Sequence, residues 1–234
     1  MHIYEKSRVK AMQDMLGKKM IHARFEYTDG IKRLVRSALL PLLLSRSADE
    51  SLSILDCGCG VGPWLEFIAG LAPACHQDRL YGFDLTPELV ELARQRLADC
   101  RLTTLISQGD ILNPESYRFS DGRTSYDIIF TFNVIQQLPR KLQPIAFRRM
   151  LEHLSPKGVA VVVDNDPASF FGLRMAIKKW ITRYFYIPLV PRPYLVARYP
   201  WFGKMIRAAK KHGKWCQIVS QSDTTMKALI IHPS

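Results

Sequence analysis

The sequence predicts an α/β protein built on a mostly parallel sheet with helices on both faces. Three observations carry this. Short apolar runs alternate with helical stretches from Leu52 to Asp164. Those runs are continuously apolar, as strands covered on both faces must be. The chain then closes with two strand-like runs, Trp215–Ser220 and Met226–His232, joined by only Gln221–Thr225. A connection that short joins antiparallel neighbours, so the sheet should end in an antiparallel hairpin.

In chain order, Val9, Met12, Met15, Leu16 and Met20 recur at loosely helical spacing. A turn is expected at Thr28-Asp29-Gly30. A second helix is expected over 31–44, with Pro41 marking a kink or an end. Ser45–Glu50 reads as a polar linker. Leu52–Asp56 is the first strand and Pro63–Leu71 a helix. Arg79–Asp84 is the second strand. Thr86 and Pro87 then provide an N-cap and a first-turn proline for a helix reaching about Asp99. Leu102–Ser107 is the third strand and Tyr126–Phe132 the fourth. A helix from Leu142 to Leu154 and a turn at Ser155–Gly158 precede the fifth strand, which ends at Asp164. With the final hairpin the sheet has seven strands.

The net charge of +12 is unevenly placed. Residues 51–166 hold eleven Lys/Arg and fourteen Asp/Glu, whereas residues 167–222 hold eleven Lys/Arg and no acid. An anionic partner or surface is therefore expected for that segment. No apolar run approaches the roughly 20 residues of a membrane helix. The charged first ten residues lack the apolar core of a secretory signal. The five cysteines are odd in number and scattered, without zinc-ligand spacing. No metal is expected, and free thiols in a reducing cytoplasm are.

The chemistry concentrates where strands end. Gly58, Gly60 and Gly62 follow Asp56 in a strand-to-helix turn, where glycines let a ligand approach the backbone. Their G-x-G-x-G spacing departs from the G-x-G-x-x-G of a dinucleotide loop. Asp84 ends the second strand, where a carboxylate can accept from both hydroxyls of a ribose. Gly109-Asp110-Ile111 follows the third, where a carboxylate can accept from an adenine amino group and Ile111 can pack on the ring. Three acids at successive strand ends of a parallel sheet lie on its carboxyl edge, the ligand edge of open α/β folds.

These residues resemble the class I S-adenosylmethionine (SAM)-dependent methyltransferases. The match comprises the D-x-G-x-G-x-G loop, the acid after strand two and the Gly-Asp after strand three. It continues with Asp127–Pro139 and the leader into strand five, and covers roughly residues 50–166. The resemblance implies a Rossmann-like seven-stranded fold with four parts. These are an N-terminal helical lid (1–50), a SAM-binding core (51–166), a basic aromatic cap inserted between strands five and six (167–214) and the completing hairpin (215–234). It implies an enzyme that uses SAM and releases S-adenosylhomocysteine (SAH). By the same resemblance Asp56 and the backbone of Gly58, Cys59, Gly60 and Gly62 face the methionine part. Asp84 and Leu85 take the ribose, and Gly109, Asp110 and Ile111 the adenine. Asn133 lies near the sulfonium or the acceptor.

One departure stands out. Many members carry a His-His pair where this chain has Gln136-Gln137, and amides cannot act as a base. Candidates for a base are Asp164, Asp166, Tyr4, Tyr27 and His153, with Asn133, Asp164 and Tyr27 as the catalytic set. Tyr4, Arg24 and Tyr27 are candidates for a lid over the cofactor. The acceptor is expected to be an oxygen or nitrogen of a small molecule, such as a sugar or a lipid-linked anion. An RNA acceptor and a non-catalytic SAM-binding role stay open. The aromatic-rich segment 167–214 is open to three uses: a substrate cap, contact with an anionic membrane or glycolipid, or nucleic-acid binding. The absence of an N-P-P-Y signature counts against the last. The expected location is the cytoplasm, with the periphery of a membrane as its extension.

Overall fold

The computed structural model describes residues 27–45, 51–71, 79–100, 102–165, 177 and 199–233. Helix α1 (Asp29–Leu44) leads into strand β1 (Ser53–Cys57) and helix α2 (Pro63–Leu71). Strand β2 (Arg79–Asp84), helix α3 (Pro87–Leu97), strand β3 (Thr103–Gln108) and strand β4 (Tyr126–Phe132) follow. Helix α4 (Gln143–Glu152), strand β5 (Leu154–Asn165), helix α5 (Phe202–Lys211), strand β6 (Trp215–Ser220) and strand β7 (Met226–His232) complete the order.

The seven strands lie in the order β3-β2-β1-β4-β5-β7-β6. Strands β1 to β5 pair in parallel, and β7 inserts antiparallel between β5 and β6. The chain reverses its direction of build at β1, which pairs with β2 on one side and β4 on the other. Open sheets bind ligands at such a switch point, beyond the carboxyl ends of the strands.

Strand alternation divides the core into two layers. On one face Val35, Ala38 and Leu39 of α1, Trp64 and Leu65 of α2, and Ala93 and Leu97 of α3 pack on Ile54, Phe130, Val161 and Ile230. On the other, Phe147 and Met150 of α4 and Phe202 and Met205 of α5 pack on Leu55, Tyr81, Ile129, Val162 and Leu229. Each such apolar side chain contributes roughly 1.5–3 kcal/mol on burial. At the amino edge Asp127 joins three strands: its carboxylate accepts from Ser53 N (3.0 Å), Ser53 Oγ (2.7 Å) and Ser155 Oγ (2.8 Å).

Three local expectations are corrected, and a fourth, Thr86 as an N-cap, is met in position but not in its bond. Asp29 and Gly30 open α1 rather than forming a separate turn, with Thr28 O accepting from Ile31 N and Lys32 N. A Cβ on Gly30 would sit 2.9 Å from Asp223 Cγ, so the glycine lets α1 close on the hairpin loop. Pro41 does not end α1, which continues to Leu44. Thr86 occupies the N-cap of α3 but makes no capping bond; its hydroxyl serves Asp84 instead. The Ser155–Gly158 turn is absorbed into β5 as an irregularity: Tyr126 pairs with Leu154, and Ile128 with Val159. Gly158 allows this, because a Cβ there would meet Tyr126 O at 2.7 Å. The residues of helical spacing from Val9 to Met20, the 46–50 part of the linker and most of 167–198 lie outside the described residues.

Candidate functional site at the carboxyl edge

The turn after β1 is stitched to the end of β2. Gly58 N and Cys59 N both donate to Phe83 O (2.8 and 3.0 Å), and Gly62 N donates to Cys59 O (2.9 Å). Gly58, Gly60 and Gly62 all have positive φ, at 84°, 56° and 79°, a region that costs a side-chain-bearing residue energy. Their surroundings differ. A Cβ on Gly58 would lie 2.4 Å from Val134 Cγ2, and one on Gly62 would lie 3.0 Å from Leu97 Cδ1. Gly60 has nothing within 4 Å of its Cβ direction. Two of the glycines thus allow close packing, and the third faces open space.

Asp84 joins the turn to the next two strand ends. Its Oδ2 accepts from Gly60 N (3.0 Å) and its Oδ1 from Thr86 N (3.0 Å). Its carbonyl accepts from Gly109 N (2.9 Å). Leu85 is half-buried and its carbonyl accepts from Gln108 Nε2 (3.2 Å). Asp110 is half-buried in a local turn: its N donates to Ser116 Oγ (2.8 Å) and its Oδ1 accepts from Leu112 N (3.0 Å). Ile111 is largely buried, and its carbonyl accepts from Tyr117 Oη (3.1 Å).

Asp56 and Asp84 of this edge are buried. Asp56 is 1% exposed. Among the described residues neither of its carboxylate oxygens has a hydrogen-bond partner. Burial, and then the charge of Asp84, push the Asp56 carboxyl well above its usual range. Burial also raises Asp84, against the backbone donors that favour its charged form. Cys57 and Cys59 are buried free thiols raised by the same desolvation. They are therefore poor nucleophiles.

Tyr27 stacks on Trp64 at 4.3 Å between ring centroids and meets Phe132 edge-on at 5.0 Å. Burial, and next the charge of Asp56, hold its phenol above its ordinary value. At neutral pH it is protonated, in the form that donates a proton and cannot serve as a base.

Asn133, just beyond β4, adopts φ 59°, a conformation asparagine tolerates better than most residues. Its N donates to Val163 O (3.0 Å). Its Oδ1 accepts from Gln136 Nε2 (2.7 Å), and its carbonyl from Gln137 Nε2 (3.0 Å). The amides standing where a His-His pair was expected thus fasten Asn133. They direct its Nδ2 donor away from Gln136. Sequence reasoning assigned them no such part, although the departure itself marked the position.

Asp164 is fully buried, and its oxygens accept from Gln136 N (3.1 Å) and Asn165 N (2.8 Å). Burial pushes its carboxyl up to about 7. The sign of the consequence follows from proton counts. Between pH 4 and 7 the native state holds a proton that the unfolded chain has released, so this group's stabilising effect is full below about pH 4. It declines as pH rises through 7. About three pKa units correspond to roughly 4 kcal/mol. Asp164→Asn should flatten the pH dependence of stability between pH 4 and 7, measured by urea unfolding. An unchanged slope would show that Asp164 does not titrate in that range.

His153 caps α4 at the opposite, amino edge, with its ring edge-on to Tyr117 at 4.3 Å. It is therefore remote from the strand ends that carry Asp56, Asp84 and Asn133. Tyr4, Arg24 and Asp166 lie outside the described residues.

The residues fit SAM. An unpartnered buried carboxylate, a second raised carboxylate beside it and an open glycine suit a ligand with an ammonium, a sulfonium and a ribose. Residues 54–158 match the family model described as "Methyltransferase domain". The malonyl-[acyl-carrier protein] O-methyltransferase of Anoxybacillus flavithermus (strain DSM 21510 / WK1) is 28% identical over 138 residues, 58% of this chain and 49% of that protein. The chain thus spans about half the length of the curated relative it matches. The magnesium protoporphyrin IX methyltransferase of Synechocystis PCC 6803, solved with SAH, superposes with TM-score 0.70 at 15% identity, over 98% of this chain and 100% of that one. An O-methyltransferase family protein from Burkholderia thailandensis gives 0.61 at 12% identity, over 88% and 58%. Residues 54–158, at whose strand ends the acids and glycines converge, thus form a methyltransferase domain, and the chain has the Rossmann-like fold of solved SAM-dependent methyltransferases.

Proposed function

We propose that the chain methylates an ionised oxygen, most simply a carboxylate, of a small-molecule acceptor in the cytoplasm. The observation that carries this reading is the state of the side chains after β4 and β5. Gln136 and Gln137 are amides engaged with Asn133, and Asp164 is fully buried with both oxygens engaged by backbone N–H groups. Of the base candidates among the described residues at this edge, Tyr27 is protonated and Asp164 is engaged, and a carboxylate acceptor has no proton to lose. The relative from Anoxybacillus supports an oxygen acceptor, since its name specifies O-methylation.

In this reading Asp84 holds the ribose, and Asp110 and Ile111 the adenine. Asp56 and the turn at Gly58–Gly62 face the methionine end. SAM, when bound, supplies a methyl on a cationic sulfur that a nucleophile can displace in line. The protein's part is to fix that line and keep water out, and positioning of this kind is worth about 7–11 kcal/mol in favourable cases. Asn133, fastened by Gln136, offers its Nδ2 donor to orient an acceptor oxygen.

The test uses methyl-labelled SAM, the purified protein and the small-molecule fraction of a cell extract. A methyl ester releases its label as methanol in mild alkali. Alkali-stable label would refute the carboxylate acceptor. SAM binding without turnover in any fraction would favour a non-catalytic binder.

A further inference from the structure

We propose that the outer face of α5 is a docking surface for an anionic lipid bilayer. Helix α5 buries Phe202, Met205 and Ala209 against the sheet. Its other side carries Lys204, Arg207, Lys210 and Lys211, all exposed. At 3.6 residues per turn these four fall within a sector of about 120°. No described ion pair involves any of them. On α3 and α4, by contrast, every arginine has a carboxylate: Arg94 meets Glu91, Arg96 meets Glu66, and Arg148 and Arg149 meet Glu152. The helix arginines of α3 and α4 are thus paired with acids, whereas the four cations of α5 have no described ion pair.

Exposed apolar side chains collect in the same part of the chain. The large hydrophobics exposed among the described residues are Leu44, Ile177, Trp201, Trp215 and Ile218. All but Leu44 lie within the acid-free segment 167–222. Trp201 immediately precedes α5 and is 47% exposed, and Ile218 on β6 is 44% exposed. Cys216 packs in the core layer that includes α5, so strand alternation places Ile218 on the same side of the sheet. Unpaired cations beside exposed tryptophan and aliphatic side chains are the signature of an interfacial surface. The cations meet lipid phosphates, and the apolar groups enter the acyl boundary. A nucleic acid would satisfy the cations but offers isoleucine side chains no apolar phase. No described helix is long and apolar enough to cross a membrane, so the contact is peripheral.

Full-length protein should co-sediment with phosphatidylcholine vesicles containing phosphatidylserine and not with pure phosphatidylcholine vesicles. Each cation near an anionic surface is worth roughly a fivefold change in partitioning. Replacing Lys204, Arg207, Lys210 and Lys211 together by Glu should therefore reduce binding more than tenfold. Unchanged circular dichroism and SAM affinity would establish that this variant is folded. Trp201→Ala, which leaves the charge intact, should weaken vesicle binding several-fold. Equal binding to both kinds of vesicle would overturn the proposal. So would a folded fourfold variant that sediments like the parent. Salt-sensitive retention of single-stranded RNA without vesicle binding would overturn it in favour of a nucleic-acid surface.

Discussion

Asp84→Ala should reduce SAM affinity by roughly 10²- to 10⁴-fold, measured by isothermal titration. The carboxylate has two duties at once. It already accepts from Gly60 N, Thr86 N and the Thr86 hydroxyl, which fixes the turn, and in the proposed complex it also accepts from the ribose hydroxyls. Hydrogen bonds to a charged group are worth about 1.5–3 kcal/mol each, so losing two to the ligand gives the stated range. Asp84→Asn keeps one acceptor oxygen, and its affinity should fall between those of the parent and Asp84→Ala. Because Asp84 is buried and carries a raised pKa, removing its charge also relieves desolvation. The alanine variant should therefore stay folded in urea unfolding while it loses ligand. An affinity within threefold of the parent would show that Asp84 acts on the turn alone and never touches the cofactor.

The strand ends were readable because their pattern is local. A parallel strand between two helical layers must be apolar along its length, so β2 and β4 could be bounded to the residue, and the short 221–225 connection bounded the antiparallel hairpin. The acids that break those runs stand out for the same reason. What was not readable depends on contacts distant in sequence. Thr86 carries every local mark of an N-cap, yet Asp84, two residues earlier and buried, takes its hydroxyl. Gly30 reads as a turn glycine until the hairpin loop brings Asp223 against it from the far end of the chain. Pro41 is tolerated inside α1, against its local propensity.

The same division runs through the site. Asp56, Asp84 and Asp110 were identifiable by their place at strand ends. The part played by Gln136 and Gln137 was not, because it depends on the positive φ of Asn133. Asp164 likewise looked available at the end of β5. Burial and two backbone donors turn it into a brace for the 133–137 loop.

The three glycines of the turn have one signature in sequence and two functions in space, and a pair of substitutions should separate them. Gly58→Ala places a methyl 2.4 Å from Val134 Cγ2 at a φ of 84°. The left-handed backbone costs about 1–2 kcal/mol, and overpacking about 1–3 kcal/mol more. This variant should lose roughly 2–5 kcal/mol of stability in urea unfolding, and Val134→Ala in the same chain should recover the packing part. Gly60→Ala meets no atom within 4 Å. It should cost only the backbone term, about 1–2 kcal/mol, and the protein should fold. Its methyl would nevertheless stand in the open space where the turn is proposed to receive the methionine end of SAM. SAM affinity should therefore fall at least tenfold in a protein that has lost little stability. If Gly60→Ala binds SAM like the parent, the open space beside Gly60 is solvent, and the cofactor reaches the edge through Asp84 and Asp110 alone.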